Sequence, residues 1–173
     1  MPLLSSEVIA DRVRQLAISI SSTYANHDLL LVPILRGAFI FAADLIRAMR
    51  TPVTLDFITV RSYAGSVTSG EIKLLKDLDS SIEGRHVLIV EDIVDTGRTL
   101  DYLQHLLRAR APKSLRTVCL TTKPSRRAVD LAVEYVGFEV GNHFIVGYGL
   151  DHSEQHRHLD HITTLEEPSA LRR

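Results

Sequence analysis

A chain of 173 residues with 45% hydrophobic and 24% charged residues has the size and composition of a globular domain with a substantial core. The formal net charge of −1 argues against the basic field of a nucleic-acid-binding protein. No apolar run approaches the roughly 20 residues that cross a bilayer, the N-terminus lacks a secretory pattern, and the one cysteine, Cys119, can form no internal disulfide. We therefore expect one domain, residues 1–173, in a reducing, cytoplasmic compartment, with neither nucleic acid nor membrane as a partner.

Apolar periodicity predicts alternating strands and helices. In chain order, the predicted elements are a helix over residues 6–22, a strand over 29–34, a helix over 39–49, strand-like runs over 53–60, 71–76 and 87–90, a helix over about 100–109, and strands over 114–122 and 135–140. Ser5 or Ser6 can cap the first helix, and Pro52 follows the second. This order is typical of an α/β fold on a mostly parallel sheet.

The central segment, residues 86–100 (HVLIVEDIVDTGRTL), has the layout of an anion site. An apolar run ends in Glu91 and Asp92, and a turn containing Gly97 then opens a helix. Free N–H groups at a helix N-terminus bind phosphate, whereas the two carboxylates suit sugar hydroxyls or Mg²⁺. The segment therefore predicts a site for a phosphorylated ribose. The alternative is that the acidic pair only caps the helix on a solvated loop.

The segment VLIVEDIVDTGRTL resembles the phosphoribosyl-diphosphate signature of the type I phosphoribosyltransferases, in particular of the hypoxanthine-guanine members. The resemblance extends over residues 29–165. It implies a single phosphoribosyltransferase domain, with a central, mostly parallel sheet flanked by helices, a small C-terminal hood and a flexible lid loop. It also implies Mg²⁺ as cofactor and a homo-oligomer, either a dimer or a tetramer.

In this family the loop after the central strand holds the ribose and its 5′-phosphate. Matching that loop to this chain makes Asp95 the candidate general base, which accepts a proton from the purine. The residues to which the resemblance gives ribose or 5′-phosphate binding are Glu91, Asp92, Thr96, Gly97, Arg98 and Thr99.

An earlier loop, made of leucine, a basic residue and glycine, holds the diphosphate in this family. That role falls to Arg36 and Gly37, although without the resemblance Arg36 is as easily a solvated loop residue. The peptide bond before the basic residue, here Leu35-Arg36, is often cis in the family. The polar, small-residue loop farther along is either a plain hairpin connection or an active-site lid. The family's lid places a Ser-Tyr pair on the diphosphate, which implies Ser62 and Tyr63.

Later segments match the family's base and metal segments. The resemblance gives recognition of the purine 6-oxo group to Lys123, stacking on the base to Phe144, and backbone contacts with the base to Ile145. Without it, Lys123 is a solvated loop lysine and Phe144 a core residue. Together with the acidic pair of the central segment, Asp151 is implied in Mg²⁺ binding, and Arg157 in diphosphate binding.

The C-terminal region departs from the family. Val140-Gly141-Asn142 stands where a Pro-Asp pair is usual, and histidines stand at two positions where tyrosine is common, His152 and His156. Histidines are frequent throughout this region: His143, His152, His156, His158 and His161. A metal cluster is one interpretation, but surface or packing histidines are the simpler one, because Mg²⁺ chemistry requires oxygen ligands. The departures bear on base specificity and not on the type of reaction.

The implied activity is purine salvage, in which the phosphoribosyl group of 5-phosphoribosyl 1-diphosphate (PRPP) passes to hypoxanthine, guanine or both, giving IMP or GMP and diphosphate. One alternative is a PRPP-sensing regulator that binds RNA, DNA or a protein. The complete set of site residues and the lack of a basic face argue against it. Another is an enzyme that prefers xanthine, whereas Lys123 argues against adenine. Cys119 lies in an apolar run and is interpreted as a buried structural thiol.

Overall fold

The computed structural model describes residues 2–62 and 72–165. These residues form three helices and nine strands: α1 (Ser6–Thr23), β1 (Leu29–Leu35), α2 (Phe39–Ala48), β2 (Val53–Leu55), β3 (Ile58–Ser62), β4 (Ile72–Lys76), β5 (His86–Val94), α3 (Arg98–Arg108), β6 (Ser114–Thr122), β7 (Tyr135–Glu139), β8 (Phe144–Val146) and β9 (Thr163–Leu165). A short 3₁₀ turn, Pro124–Arg126, follows β6. Within the described ranges no helix has both the length and the apolar character of a membrane span.

The main sheet has seven strands. Six of them follow the order β4-β3-β1-β5-β6-β7, and β2 also pairs with β1. Every pair in this sheet is parallel except β3–β4. The strand β5 is thus an interior strand of the sheet, between β1 and β6, as the apolar run over residues 87–90 predicts.

Helices cover both faces of the sheet. Along β5, Leu88 and Val90 pack in the core on the α1–α2 side, whereas Val87 and Ile89 pack on the α3 side. Successive side chains of a strand point to opposite faces, so a strand covered on both faces needs an unbroken apolar run. The predicted α/β class, with a mostly parallel sheet between helices, is confirmed.

A small second sheet forms the C-terminal hood. It is the antiparallel pair β8–β9, outside the main sheet. Leu4, near the N-terminus, bridges to Ile162, so both ends of the described chain meet in this region. Ile145 and Ile162 are buried with the α1–α2 core, and this packing fixes the hood on one face of the main sheet.

Two predicted strand boundaries are wrong. The central strand does not end before Glu91, because β6 continues to pair with it as far as Val94 and Thr122. The run over residues 53–60 is two strands, since Asp56 and Phe57 interrupt it. The buried Asp56 carboxylate accepts backbone N–H groups from both Phe57 and Asp79, at 2.7 and 2.8 Å, and these bonds turn the chain out of the first strand.

Candidate active site

Three neighbouring parallel strands, β1, β5 and β6, end at one edge of the sheet, and predicted site residues follow each of them. Arg36 and Gly37 follow β1, Asp95 follows β5, and Lys123 follows β6. Open α/β sheets bind ligands outside this carboxyl edge. Since β5 lies between the other two strands, the candidate diphosphate and base residues stand on either side of the central segment.

Glu91 and Asp92 lie inside β5 and are only 7% and 8% exposed. Burial raises the pKa of Glu91 well above its ordinary range, and the neighbouring charge of Asp92 raises it further. Burial also raises the pKa of Asp92, although hydrogen bonds from Glu91 and from the N–H of Ile93 oppose this change. The acidic pair is therefore not a helix cap on a solvated loop. Hydroxyl donors or a hard cation would stabilise its charged form.

The loop after β1 lies directly against this acidic pair. A Cβ at Gly37 would lie 1.8 Å from Oδ2 of Asp92, which is too close for two atoms that are not bonded. Only glycine, which has no Cβ, fits at this position. The Leu35-Arg36 peptide bond is cis, as the resemblance implies. On the other side of the loop, a Cβ at Gly149 would lie 2.3 Å from the carbonyl oxygen of Gly37. The loop is thus packed between the acidic pair and the C-terminal segment.

The turn after β5 opens the helix α3. Gly97 is its N-cap, in a left-handed conformation with φ of 83°, and its carbonyl accepts the N–H of Asp101 at 2.9 Å. The first N–H groups of a helix have no partner within it, so the first turn of α3 offers donors to an anion. Thr96 and Thr99 are half-buried in this turn, whereas Arg98 is exposed.

Asp95 lies between two cationic side chains. Nζ of Lys123 is 3.7 Å from its Oδ2, and Nε of Arg126 donates to its Oδ1 at 2.5 Å. Lys123 is only 5% exposed, so it is not a solvated loop lysine. Arg126 did not appear among the predicted site residues. The signal that could have found it is the basic pair Arg126-Arg127, two residues beyond Lys123-Pro124.

The two arginines predicted to bind diphosphate, Arg36 and Arg157, both pair with one carboxylate. Glu154 lies 2.9 Å from Arg36 and 3.6 Å from Arg157, measured from its Oε2 to the guanidinium nitrogens. Arg157 also pairs with Asp151 at 2.7 Å and donates to the carbonyl of Gly149, likewise at 2.7 Å. Arg36 and Arg157 are thus brought together around one anionic group. Glu154 was not predicted, and no local pattern distinguishes it from other acidic residues.

Phe144 is 40% exposed, so it is not a core residue. Its ring and the ring of His152 form a T-shaped pair, with centroids 5.2 Å apart. The side chain of Ile145 is buried, which leaves only its backbone for a ligand. Ser62 ends β3, whereas Tyr63 and the predicted lid fall within residues 63–71, outside the described residues.

The C-terminal histidines lie in turns, not on a helix. In the described ranges no three or more His, Cys, Asp or Glu side chains are grouped so that they could hold a metal ion. Asp151, Glu91 and Asp92 therefore do not make one preformed three-carboxylate site. Any Mg²⁺ here would need ligand oxygens as well as protein carboxylates.

Comparison with known proteins agrees with this architecture. Residues 3–153 match the family model "Phosphoribosyl transferase domain". The hypoxanthine-guanine phosphoribosyltransferase of Bacillus subtilis is 47% identical over 165 residues, which are 95% of this chain and 92% of that protein. The hypoxanthine phosphoribosyltransferase of Haemophilus influenzae is 43% identical over 164 residues, 92% of each chain. A crystal structure of a hypoxanthine phosphoribosyltransferase from Staphylococcus aureus superposes with a TM-score of 0.92 at 42% identity, covering 96% of this chain and 91% of that one. The chain belongs to the phosphoribosyltransferase family and, within it, to the hypoxanthine-guanine phosphoribosyltransferases.

Proposed function

We propose that this chain transfers the phosphoribosyl group of PRPP to hypoxanthine, guanine or both, in purine salvage. The observation that carries the proposal is the pairing of Lys123 with Asp95, whose Nζ and Oδ2 are 3.7 Å apart. On a 6-oxopurine, the 6-oxo oxygen and N7 lie side by side on one edge of the base. An ammonium and a carboxylate at this spacing match that edge, with Lys123 as the donor to oxygen and Asp95 as the acceptor of the ring proton.

The ribose and its 5′-phosphate occupy the turn after β5. N–H groups at the start of α3 and the hydroxyls of Thr96 and Thr99 donate to the phosphate, next to the positive end of the helix dipole. Glu91 and Asp92 accept hydrogen bonds from the ribose hydroxyls. Fixing the sugar at both ends holds its anomeric carbon in one place relative to the base, which lowers the entropic part of the barrier.

The diphosphate is held by Arg36 and Arg157, with the backbone of Gly37 close beside it. Mg²⁺ fits the residues present, because Glu91, Asp92 and Asp151 offer only oxygen ligands, and this ion is typically held by one or two carboxylates and completed by substrate phosphates. When bound, this ion would neutralise the negative charge that develops on the leaving diphosphate.

The reaction forms a bond between a purine ring nitrogen and the anomeric carbon while the bond from that carbon to diphosphate breaks. The proton on the imidazole ring of the base passes to the carboxylate of Asp95. Phe144 stacks on the base, and Lys123 donates to its 6-oxo group. Adenine carries an amino group at this position, which is itself a donor, so its contact with the ammonium is unfavourable.

Diphosphate release from PRPP and Mg²⁺ tests this function, with hypoxanthine, guanine, xanthine and adenine supplied separately. We expect rapid release with hypoxanthine or guanine and little with adenine. PRPP binding without release for any base would overturn the proposal and point to a PRPP-sensing regulator. Rapid release with xanthine alone would overturn the choice of base.

Asp95→Asn tests the general base. Because an amide keeps the shape of the side chain but cannot take the proton, we expect turnover to fall at least about 100-fold, the usual scale of general acid–base catalysis, with PRPP affinity kept. The measurement is kcat for diphosphate release, with PRPP binding by calorimetry as the control. Unchanged turnover would contradict the role of Asp95.

We also propose a homo-oligomer, dimer or tetramer, and a cytoplasmic location. The first is supported by the family resemblance. The second is supported by the single cysteine, Cys119, which is buried and unpaired. Sedimentation equilibrium of the full chain measures the first, and cell fractionation the second.

A further inference from the structure

The segment that follows β6 is attached to the turn that follows β5 at successive residues. Lys123 and Arg126 each face one oxygen of Asp95, and the N–H of Ala128 donates to the carbonyl of Thr96 at 3.0 Å. The N–H of Lys123 also donates to the carbonyl of Val94 at 3.0 Å. This segment therefore lies along the whole turn that carries the candidate general base.

The backbone around Arg126 is itself held in place. Its N–H donates to the carbonyl of Lys123 at 3.0 Å, and the N–H of Arg127 donates to the carbonyl of Pro124 at 3.2 Å, which closes the 3₁₀ turn. The Arg127 guanidinium donates to Oγ1 of Thr122 at 2.7 Å and anchors the turn to the end of β6. Arg126 thus extends toward Asp95 from a supported backbone and not from a free loop.

Asn142 fixes the other side of the Arg126 guanidinium. Its Oδ1 accepts from Nη1 of Arg126 at 3.1 Å, while Nε of the same guanidinium donates to Asp95. An amide accepts this bond without carrying charge, so Asp95 remains the anionic partner of Arg126 in this network. Asn142 is part of the Val140-Gly141-Asn142 segment that departs from the family pattern.

We propose that Arg126 is a positioning residue for the general base. It occupies Oδ1 of Asp95 and fixes the rotation of the carboxylate, so that Oδ2 faces Lys123 and the edge of the purine that carries the proton. Asn142 in turn orients the guanidinium. This inference rests on the proposed function, since it needs Asp95 to accept the proton.

Arg126→Ala frees the carboxylate to rotate. We expect kcat to fall about 10- to 100-fold, the scale on which misplacement of a catalytic group by about 1 Å acts, while KM for PRPP stays within about threefold. Arg126→Lys should recover part of the lost kcat, because an ammonium still pairs with Oδ1 but cannot also reach Asn142 in a fixed plane. Asn142→Ala leaves the ion pair in place and should lower kcat about three- to fivefold, because one hydrogen bond that orients the guanidinium is lost.

The decisive comparison is Arg126→Ala in the Asp95→Asn background. If Arg126 acts by positioning Asp95, Arg126→Ala should cause no further fall in kcat in this background. If its role is merely structural, Arg126→Ala should lower kcat by the same factor in both backgrounds. Arg110→Ala is the matched control. It removes an arginine that donates twice to Asp77, at 2.7 and 2.8 Å, away from the carboxyl edge of the sheet, and kcat should not change.

The two proposals fail in different ways. If Asp95→Asn turns over like the wild type, the proposed function loses its general base. If Asp95→Asn is slow but Arg126→Ala keeps the wild-type kcat, or loses kcat equally in both backgrounds, only the role of Arg126 is overturned.

Discussion

Replacing Gly37 with alanine would test whether the loop proposed to hold the diphosphate and the acidic pair proposed to bind the ribose form one unit. The new methyl group would lie 1.8 Å from Oδ2 and 2.5 Å from Cγ of Asp92, whereas real Cβ contacts are essentially never below 3.0 Å. The loop or the carboxylate must therefore shift by about 1.2 Å, the difference between the shortest allowed and the implied distance. Asp92 is buried and cannot swing into solvent, so the shift disturbs the site itself.

The structure sets the size of the effect. Overpacking in a buried region costs about 1–3 kcal/mol. Displacing the carboxylate also weakens the 2.9 Å hydrogen bond from the N–H of Ile93. We expect the free energy of unfolding to fall by about 2–4 kcal/mol in total, and Tm by about 5–12 °C. Because a displacement of about 1 Å moves the proposed ribose ligands, kcat/KM for PRPP should fall about 100-fold.

Thermal unfolding and initial rates at varied PRPP would be measured for four variants beside the wild type: Gly37→Ala, Asp92→Ala, the double variant of these two, and Gly84→Ala. In an Asp92→Ala background the overlapping atoms are gone, so Gly37→Ala should cost little further stability. Gly84→Ala is the control, since it forces a side chain to φ of 71° in open space and should lower stability without changing KM for PRPP. A Gly37→Ala protein with wild-type Tm and kcat/KM would refute the reasoning.

Two further predictions follow from the charges of the site. Glu91→Gln should stabilise the ligand-free protein relative to wild type. Because the pKa of Glu91 is raised in the folded state, the wild type loses stability as pH rises above the ordinary value of 4.5, where only the unfolded chain gives up the proton. Urea unfolding near pH 4.5 and near neutrality measures this, and a pH-independent difference between the two proteins would contradict it. Glu154→Gln removes the anion shared by Arg36 and Arg157, both predicted to bind diphosphate. Since the bond to Arg36 is an exposed ion pair, inorganic diphosphate with Mg²⁺ should bind only about two- to fivefold more tightly, measured by calorimetry, and weaker binding would show that Glu154 supports the site instead.

Much of the fold follows from local pattern in the sequence. Ser5 does cap α1, with the N–H of Val8 donating to its hydroxyl, and β6 covers the predicted residues 114–122. These elements depend on apolar periodicity and on side chains near their ends, which the sequence displays directly. The continuation of β5 through Glu91 and Asp92 depends on pairing with β6, so no feature of the acidic residues themselves predicts it.

The candidate site likewise contains some residues that the sequence predicts and others that it does not. Asp95 and Gly97 belong to one continuous motif, and the resemblance to a known family gives each a role. Arg126 reaches Asp95 across 31 positions, and Glu154 reaches Arg36 across 118 positions. Contacts of this kind depend on which strands are neighbours in the sheet. The basic pair Arg126-Arg127 could have drawn attention to Arg126, but its partner Asp95 could not be read from that pair, and Glu154 has no distinguishing local context.

The strand order β1-β5-β6 has a consequence for how substrate binding acts on the whole protein. The loops after these strands come from distant parts of the chain, and the site exists only where the three strands have assembled around β5. A ligand that spans the three loops therefore binds the folded chain and not its separate segments. Its binding free energy adds to global stability as RT ln(1 + [L]/Kd), which is about 2.7 kcal/mol at 100 times Kd. The concentration of PRPP would then affect the global stability of the protein as well as its rate of turnover.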